Sequence, residues 1–249
     1  MFYWRATIRA RDDGPGIEAA FTDRAANRGA GPYAGLNLGG HVGDDPDAVE
    51  ANRAALATAL GVTRERLLFL NQVHGTDVVE ASGPWAGEAP EADGIVSRTS
   101  ELALAVLVAD CVPVLLHDVE AGVVGAVHAG RPGLLGGIVP RAVAAMRDLG
   151  ARQPAAIVGP SVCGRCYEVP EEMALAAAAV APTSQTSSWT GTPAIDVAAG
   201  VTEQLASAGV AVQRVAGCTR EDEQLYSYRR DGTTGRLAGV VVAHAAGAR

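Results

Sequence analysis

Residues 102–116 read LALAVLVADCVPVLL and place a carboxylate and a thiol between two apolar runs. Short, bounded runs of this kind, rich in branched residues, are typical of buried strands. Pro113 has no N–H to donate to a strand ladder, so we expect the first strand to end near Cys111. The sequence therefore predicts a thiol at the end of a buried strand.

Two other segments have the same form, an apolar strand that delivers a histidine into a glycine turn. Residues 67–73 precede His74, and residues 123–127 precede His128. Two imidazoles and a thiol are ligand types that zinc prefers, and three protein ligands are typical of a catalytic zinc. Because the spacing is long-range, a second interpretation stays open, in which both histidines are ordinary turn residues and Cys111 is a small buried residue.

The composition predicts a compact globular protein. Of the 249 residues, 48% are hydrophobic and 19% are charged, which is enough apolar material for a substantial core, and the length alone allows one domain or two. The apolar runs are shorter than a membrane span and the first residues lack the pattern of a signal peptide, so we expect a cytoplasmic protein that does not bind membranes. A net charge of -8 argues against nucleic-acid binding.

The chain contains no lysine, and all 20 of its basic residues are arginine. This excludes Schiff-base chemistry, a pyridoxal-phosphate lysine and the lysine of a Walker motif. Any bound phosphate must therefore be held by arginine side chains or by backbone amides.

The cysteines and histidines limit the metal chemistry. Cys163-Gly164-Arg165-Cys166 has the spacing of a redox motif or of half a zinc site. A structural zinc needs a second pair, however, and only Cys218 remains once Cys111 is assigned elsewhere. The 5 histidines include no His-x-His pair, which argues against a true multicopper oxidase.

The order of predicted elements indicates an α+β fold, a single domain with mixed β-sheets flanked by helices. Strands come in consecutive runs between residues 67 and 128, and no Gly-x-Gly-x-x-Gly motif opens a helix as in a nicotinamide Rossmann site. Asp45 is a predicted N-cap and Gly61 a predicted helix stop. Further helices are predicted at residues 134–149, 170–180 and 196–208, a turn at 12–16, and a glycine-rich loop at 29–43 that either wraps a ligand or lies on the surface.

The chain resembles the bacterial laccase-domain proteins in three motifs that follow one another in the sequence. These motifs are Asn71-Gln72-Val73-His74-Gly75, residues 109–116 and residues 124–130. These were once called polyphenol oxidases and are now regarded as purine nucleoside phosphorylases with adenosine deaminase activity. The resemblance runs from about Phe21 to the end. It also includes Leu36-Asn37-Leu38-Gly39, His41-Val42-Gly43-Asp44-Asp45-Pro46, Asn52-Arg53, Gly159-Pro160-Ser161, Tyr167-Glu168-Val169, Cys218-Thr219 and Ser227-Tyr228-Arg229-Arg230-Asp231-Gly232.

The resemblance implies a zinc held by His74, Cys111 and His128, with copper as a possible competitor, in a single domain over residues 1–249. It implies phosphorolysis of adenosine, inosine and methylthioadenosine, with deamination of adenosine as a side activity. Zinc can lower the pKa of bound water to near 7, which suits deamination. The family usually continues the second histidine motif as His-Ala-Gly-Trp-Arg-Gly, whereas here Arg131 stands one place earlier and Pro132 follows it.

The remaining site residues are hypotheses about roles. Asp110 is expected to act in acid/base catalysis, with Glu168 as an alternative, or to orient a ligating histidine. We expect Arg131 to have taken over an anion-binding part at the altered turn, with Arg230 as a further phosphate candidate. The predicted substrate-binding residues are Asn37, Arg53, Gln72, Arg131 and Arg229.

Two other functions use the same residues. In the first, Cys111 is the nucleophile of a metal-independent hydrolase or amidase, and His74 or His128 is its base. In the second, a ligand-binding domain holds a structural zinc, with a further ligand such as His41 in the fourth position. The sequence leaves the preferred nucleoside and the oligomeric state open.

Overall fold

The computed structural model describes residues 1–10, 16–25 and 31–245. The strands are β1 Phe2–Arg9, β2 Gly16–Thr22, β3 Leu67–Leu68, β4 Val78–Glu80, β5 Gly94–Ser97, β6 Ala103–Val108, β7 Val112–Asp118, β8 Val123–Ala129, β9 Ala155–Val158, β10 Gln185–Ser187, β11 Pro193–Ile195, β12 Ala211–Arg214 and β13 Leu237–Ala243. The α-helices are α1 Pro46–Leu60, α2 Arg131–Gly136, α3 Ile138–Asp148, α4 Glu171–Val180, α5 Val197–Ser207 and α6 Tyr228–Asp231. In the described part of the chain, no helix is long and apolar enough to cross a membrane.

Two mixed sheets and a hairpin contain these strands. One sheet has five strands in the order β1-β2-β13-β6-β3, and the other has six in the order β12-β9-β7-β8-β5-β4. Strands β10 and β11 form the hairpin. The predicted α+β class, with mixed sheets flanked by helices in one domain, is confirmed.

The two sheets stack face to face, and helices cover their outer faces. Along β6, Leu104 and Val106 pack between the sheets, whereas Ala105 and Leu107 pack under α1 with Leu56. The outer face of the six-stranded sheet is covered by α2 to α5. Residues 102–108 and 112–116 are apolar without alternation because both faces of these strands are buried.

Several predicted elements agree with the structure. Helix α1 begins after Asp45, whose side chain accepts from the Asp47 N–H, and Gly61 ends it in the left-handed region at φ 74°. Helices α4 and α5 lie within the predicted ranges 170–180 and 196–208. The predicted turn at residues 12–16 lies outside the described residues except for its last residue, and so do the first two residues of the loop at 29–43.

The strand predicted at residues 67–73 is wrong beyond Leu68, so His74 lies in a loop and not at a strand end. Beyond Leu68 the Gln72 side chain takes over the pairing with the neighbouring strand. Its Nε2 donates to the Leu107 carbonyl at 2.8 Å, and its Oε1 accepts from the Leu107 N–H at 2.7 Å. A side-chain amide thus replaces backbone ladder bonds and lets the chain turn out of the sheet.

Two further boundaries differ from the predictions. The helix predicted at residues 134–149 is two helices, because Gly137 at φ 78° ends α2 and its N–H bonds to Gly133 and Leu134. Cys111 follows the end of β6 by three residues and lies in the connection to β7. This connection carries the chain from the five-stranded sheet to the six-stranded sheet. Pro113 lies inside β7 and is paired with His128.

Candidate active site

The candidate site lies where the chain passes between the two sheets. His74 lies in the connection from β3 to β4, Cys111 in the connection from β6 to β7, and His128 near the end of β8. The ligand atoms of these three side chains all lie within 4.8 Å of one another. His74 Nε2 is 3.8 Å from Cys111 Sγ, and the two imidazole rings meet edge to face with centroids 4.7 Å apart. The structure therefore brings together three residues that are distant in sequence.

Asp93, which precedes β5, organises this cluster. Its carboxylate is fully buried and accepts His128 Nδ1 at 2.7 Å. The same carboxylate accepts the N–H groups of Val73, His74 and Gly75 at 3.2, 3.0 and 2.6 Å. His74 has a φ of 60°, a left-handed conformation that is uncommon outside glycine, and these bonds hold it there.

The contact with Asp93 fixes which atom of His128 can bind a metal. Because Nδ1 is engaged by the carboxylate, Nε2 is the nitrogen left for coordination, the arrangement found in carboxylate–histidine–zinc sites. Gly130 closes the cluster from the side of α2. A Cβ atom there would lie 2.9 Å from His74 Cδ2 and 3.2 Å from Cys111 Sγ, so only glycine leaves room for both ligands.

The electrostatics of the cluster favour ionised Cys111. Burial raises the pKa of this thiol, but His128 and His74 more than offset it and lower the pKa to about 6. Burial lowers the pKa of His128, whereas Cys111 and Asp93 raise it, to about 9. In the metal-free protein the pair is therefore a thiolate and an imidazolium near pH 7.

The donor set fits a zinc ion with an open position. One thiolate and two imidazoles are ligands that zinc accepts, and copper is also compatible with them. Within the described residues, no fourth histidine, cysteine or carboxylate joins this group. His41 lines the same cavity but does not belong to the group, which does not favour a closed structural site there.

These pKa values predict a proton release on metal binding. Between about pH 6 and about pH 9, Cys111 is already ionised but His128 still carries the proton that zinc must displace. We therefore expect this pair to release about one proton per zinc near pH 7.5, and about two below pH 6, so that affinity falls as pH falls. Calorimetric titration of metal-free protein in buffers of different ionisation enthalpy measures this number. A neutral thiol–imidazole pair holds the same single proton, so thiolate absorption in the ultraviolet must distinguish the two states. Equal absorption in metal-free Cys111→Ala and metal-free unaltered protein at pH 7.5 would contradict the thiolate–imidazolium pair.

A cavity of about 620 Å³ opens beside the cluster. Pockets of roughly 300–1,000 Å³ are usual for small-molecule ligands. Of the predicted site residues, the cavity wall includes His74, Cys111, His128, Asp110, Gln72, Arg131 and Arg229. It does not include Asn37, Arg53, Glu168 or Arg230.

Two of the residues outside the wall have structural contacts instead. Asn37 is buried, and its amide bonds to Gly39 and Asp44 and accepts the Arg236 N–H at 2.8 Å. Arg53 donates to the Leu38 carbonyl at 3.0 and 2.8 Å, and its guanidinium stacks on the Phe69 ring. Both residues shape the loop at 31–43 and do not face the cavity.

Asp110 lines the cavity, but its carboxylate is occupied. It accepts the hydroxyls of Thr219 and Ser227 at 2.6 Å each and the Arg229 N–H at 2.6 Å. Three donors from one connection thus engage both oxygens of this carboxylate. The geometry therefore favours positioning of the connection between β12 and β13 over acid/base catalysis.

Among the described residues, three arginines line the cavity. Arg131 begins α2, and Arg229 stacks on the Tyr167 ring at 4.7 Å. Arg236, which the sequence analysis did not identify, is held by its own contacts to the Thr234 and Gly235 carbonyls at 3.0 Å. Its position just before the last strand was the only signal in the sequence.

Residues 18–244 match the family described as multi-copper polyphenol oxidoreductase laccase. A protein of Streptomyces coelicolor named purine nucleoside phosphorylase SCO2081 is 54% identical over 239 residues, covering 94% of this chain and 98% of that protein. Protein YlmD of Geobacillus stearothermophilus has a similar crystal structure, with a TM-score of 0.86, 30% identity and 98% coverage of both chains. Protein NMB0706 of Neisseria meningitidis has a TM-score of 0.84 and 34% identity, covering 96% of this chain and 99% of that one.

Proposed function

We propose that this chain, which belongs to the multi-copper polyphenol oxidoreductase laccase family, is a zinc-dependent purine nucleoside phosphorylase. The observation that carries the proposal is a single cavity whose wall, within the described chain, includes both the His74–Cys111–His128 ligand group and three arginines. The names of the similar proteins support the same activity. Oxidase chemistry with several coppers is not favoured, because the cluster contains two of the chain's 5 histidines.

The cavity has the chemistry that a nucleoside and a phosphate need. Leu107, Val108 and Val162 give an apolar wall, and Tyr167 and Tyr228 provide aromatic rings on which a purine can pack. Because the chain has no lysine, the cavity arginines are the cations that can hold the phosphate. A nucleoside bound there would place its ribose between the purine wall and the phosphate.

The chain's own residues would align the reactants. The arginines hold phosphate against the ribose C1′, where its charge stabilises the positive charge that develops as the glycosidic bond breaks. Asp110 holds the Arg229 backbone at 2.6 Å and so fixes where that guanidinium enters the cavity. When bound, zinc supplies a Lewis acid beside the leaving base.

Deamination of adenosine would be a side reaction of the same cavity. Glu168 is outside the wall, and Asp110 is engaged by three donors, so neither is well placed to transfer the proton. His41 lines the cavity, and burial together with Arg236 and Arg53 lowers its pKa. Its imidazole is therefore neutral near pH 7 and can accept a proton.

A substrate panel tests the proposal. Zinc-loaded protein is expected to convert adenosine to adenine and ribose 1-phosphate when phosphate is present, and to release little base without it. Inosine and methylthioadenosine are expected to react similarly, and some adenosine to become inosine whether or not phosphate is added. An absence of both base release and deamination across the panel would refute the proposal.

A hydrolase is the second candidate, and one observation favours it. Asp93, His128 and Cys111 form a carboxylate–imidazole–thiol series with the thiol ionised, as in enzymes with a cysteine nucleophile. The two functions differ in their need for metal. Removal of zinc by a chelator, followed by restoration with zinc alone, is expected to abolish and then restore phosphorolysis, whereas a hydrolase would remain active without metal.

Arg131 is predicted to bind phosphate. Replacement by alanine is expected to raise the apparent KM for phosphate about tenfold, because a charge-assisted contact contributes about 1.5 kcal/mol. The zinc content and the phosphate-independent deamination are expected to change little. Arg141→Ala, at an exposed position on α3, is the matched control. An unchanged KM in the Arg131 variant would assign the phosphate to Arg229 and Arg236.

A further inference from the structure

A second group of metal-ligand side chains lies apart from the first. Cys163 and Cys166 come from the turn after β9, and Cys218 and Glu221 come from the connection between β12 and β13. Their three sulfur atoms and one carboxylate oxygen all lie within 4.8 Å of one another. The two groups share no residue.

The spacing in sequence is that of a metal site built from two turns. Cys-x-x-Cys supplies one pair, and Cys-x-x-Glu supplies the other. The sequence analysis required a second cysteine pair and therefore missed the site, because the fourth donor is the carboxylate of Glu221. Carboxylate oxygen is an accepted zinc ligand beside thiolates.

Backbone contacts hold the two turns in place without help from a metal. Cys163 N–H donates to Cys218 Sγ at 3.4 Å, and Ser161 forms a bridge with Cys218. Cys166 N–H donates to the Cys163 carbonyl at 2.9 Å, which closes the first turn. The donors are therefore brought together by the fold itself, as a metal site requires.

Glu221 is also held in position by neighbouring side chains. Its Oε1 accepts from Cys166 Sγ at 3.1 Å and from Trp189 Nε1 at 3.1 Å. The Arg165 guanidinium stacks on the Trp189 ring at 4.5 Å and so holds in place the ring that donates to Glu221. This outer contact orients the carboxylate as partners of metal ligands usually do.

A disulfide does not account for the whole group. All four cysteines are free in the structure, and one disulfide would use two thiols while leaving a third thiol and Glu221 side by side. A divalent cation would displace the thiol protons and engage all four donors.

We propose that Cys163, Cys166, Cys218 and Glu221 bind a second, structural zinc ion. Four protein donors leave no open position, which is the feature of structural zinc sites. This assignment does not depend on the proposed phosphorylase activity. The segments that it joins carry part of the cavity wall, because Tyr167 follows Cys166 and Thr219, which donates to Asp110 at 2.6 Å, follows Cys218. The second zinc therefore stabilises this part of the cavity wall.

Zinc analysis of the full chain, purified without added metal, tests the proposal. We expect about two zinc ions per chain in the unaltered protein, about one in Cys218→Ser or Cys111→Ser, and none in the double variant. Glu221→Gln is expected to weaken zinc retention against a chelator, whereas Glu223→Gln, at an exposed neighbouring position, is not. Equal zinc in Cys218→Ser and the unaltered protein overturns the proposal.

Cobalt gives a readout that does not depend on recovering Cys218→Ser in folded form. Co²⁺ added to metal-free Cys111→Ser protein is expected to give intense near-ultraviolet cobalt–thiolate absorption and the visible bands of a tetrahedral ion. An absence of these bands overturns the proposal. Thiol titration of denatured protein without reductant is expected to find all four cysteines, and a loss of two would indicate a disulfide instead.

Discussion

Replacement of Cys111 by alanine is expected to lower phosphorolysis of adenosine at least about a thousandfold and to remove one zinc ion per chain. Cys111 is the one thiolate among the three donors, and its negative charge offsets that of the cation. Loss of the metal would remove several kcal/mol of transition-state stabilisation, and each 1.4 kcal/mol is about tenfold in rate.

The control for this variant is His117→Ala. His117 lies on β7, the strand that begins next to Cys111, but near its opposite end. We expect this variant to keep its zinc and its activity. Retention of the full zinc content of the unaltered protein by Cys111→Ala would refute the metal assignment, and loss of activity at that full content would favour Cys111 as a nucleophile.

Asp93→Ala is expected to weaken zinc binding at this site about 10–100-fold, since the partner of a ligating histidine fixes its orientation and basicity. The substitution also leaves the N–H groups of Val73, His74 and Gly75 without their acceptor. Because Val73 is 51% exposed and water can reach part of this loop, the loss is expected to cost about 1–3 kcal/mol of the free energy of unfolding in all. Competition with a chromogenic chelator measures the affinity, and denaturant unfolding of the metal-free protein measures the stability.

A matched control separates these two effects. Asp118 is likewise a buried carboxylate at the far end of β7, and the backbone N–H groups that it accepts include those of Ala121, Arg152 and Gln153. Asp118→Ala is expected to destabilise the fold comparably while zinc affinity stays near that of the unaltered protein. If both variants lose affinity equally, Asp93 acts only through general stability.

Strands and helix caps that depend only on the local sequence could be predicted correctly. Residues 102–108 and 112–116 are apolar at every position because both faces of β6 and β7 are buried, and that pattern needs no knowledge of the neighbours. The caps at Asp45 and Gly61 are likewise local. His74, Cys111 and His128 were predicted as ligands from residue type and motif, and the structure places them together.

Features that depend on contacts between distant segments could not be predicted in this way. Asp93 stands before a glycine and a short strand, which indicates no more than a turn, and its role depends on three N–H groups about twenty residues earlier. The strand predicted at residues 67–73 ends at Leu68, and beyond it the side chain of Gln72, not its backbone, pairs with Leu107. Glu221 became a candidate ligand only when the fold placed it beside Cys166.

The position of His74 and Cys111 on two connections between the sheets has a consequence for the dynamics of the whole molecule. A metal bound to both connections and to β8 would join the two sheets into one cooperative unit. Amide exchange in β6 and β8 would then proceed through a shared opening in the loaded protein. In the metal-free protein each sheet would be able to open separately, so the ion would govern how the native state divides into independently unfolding parts.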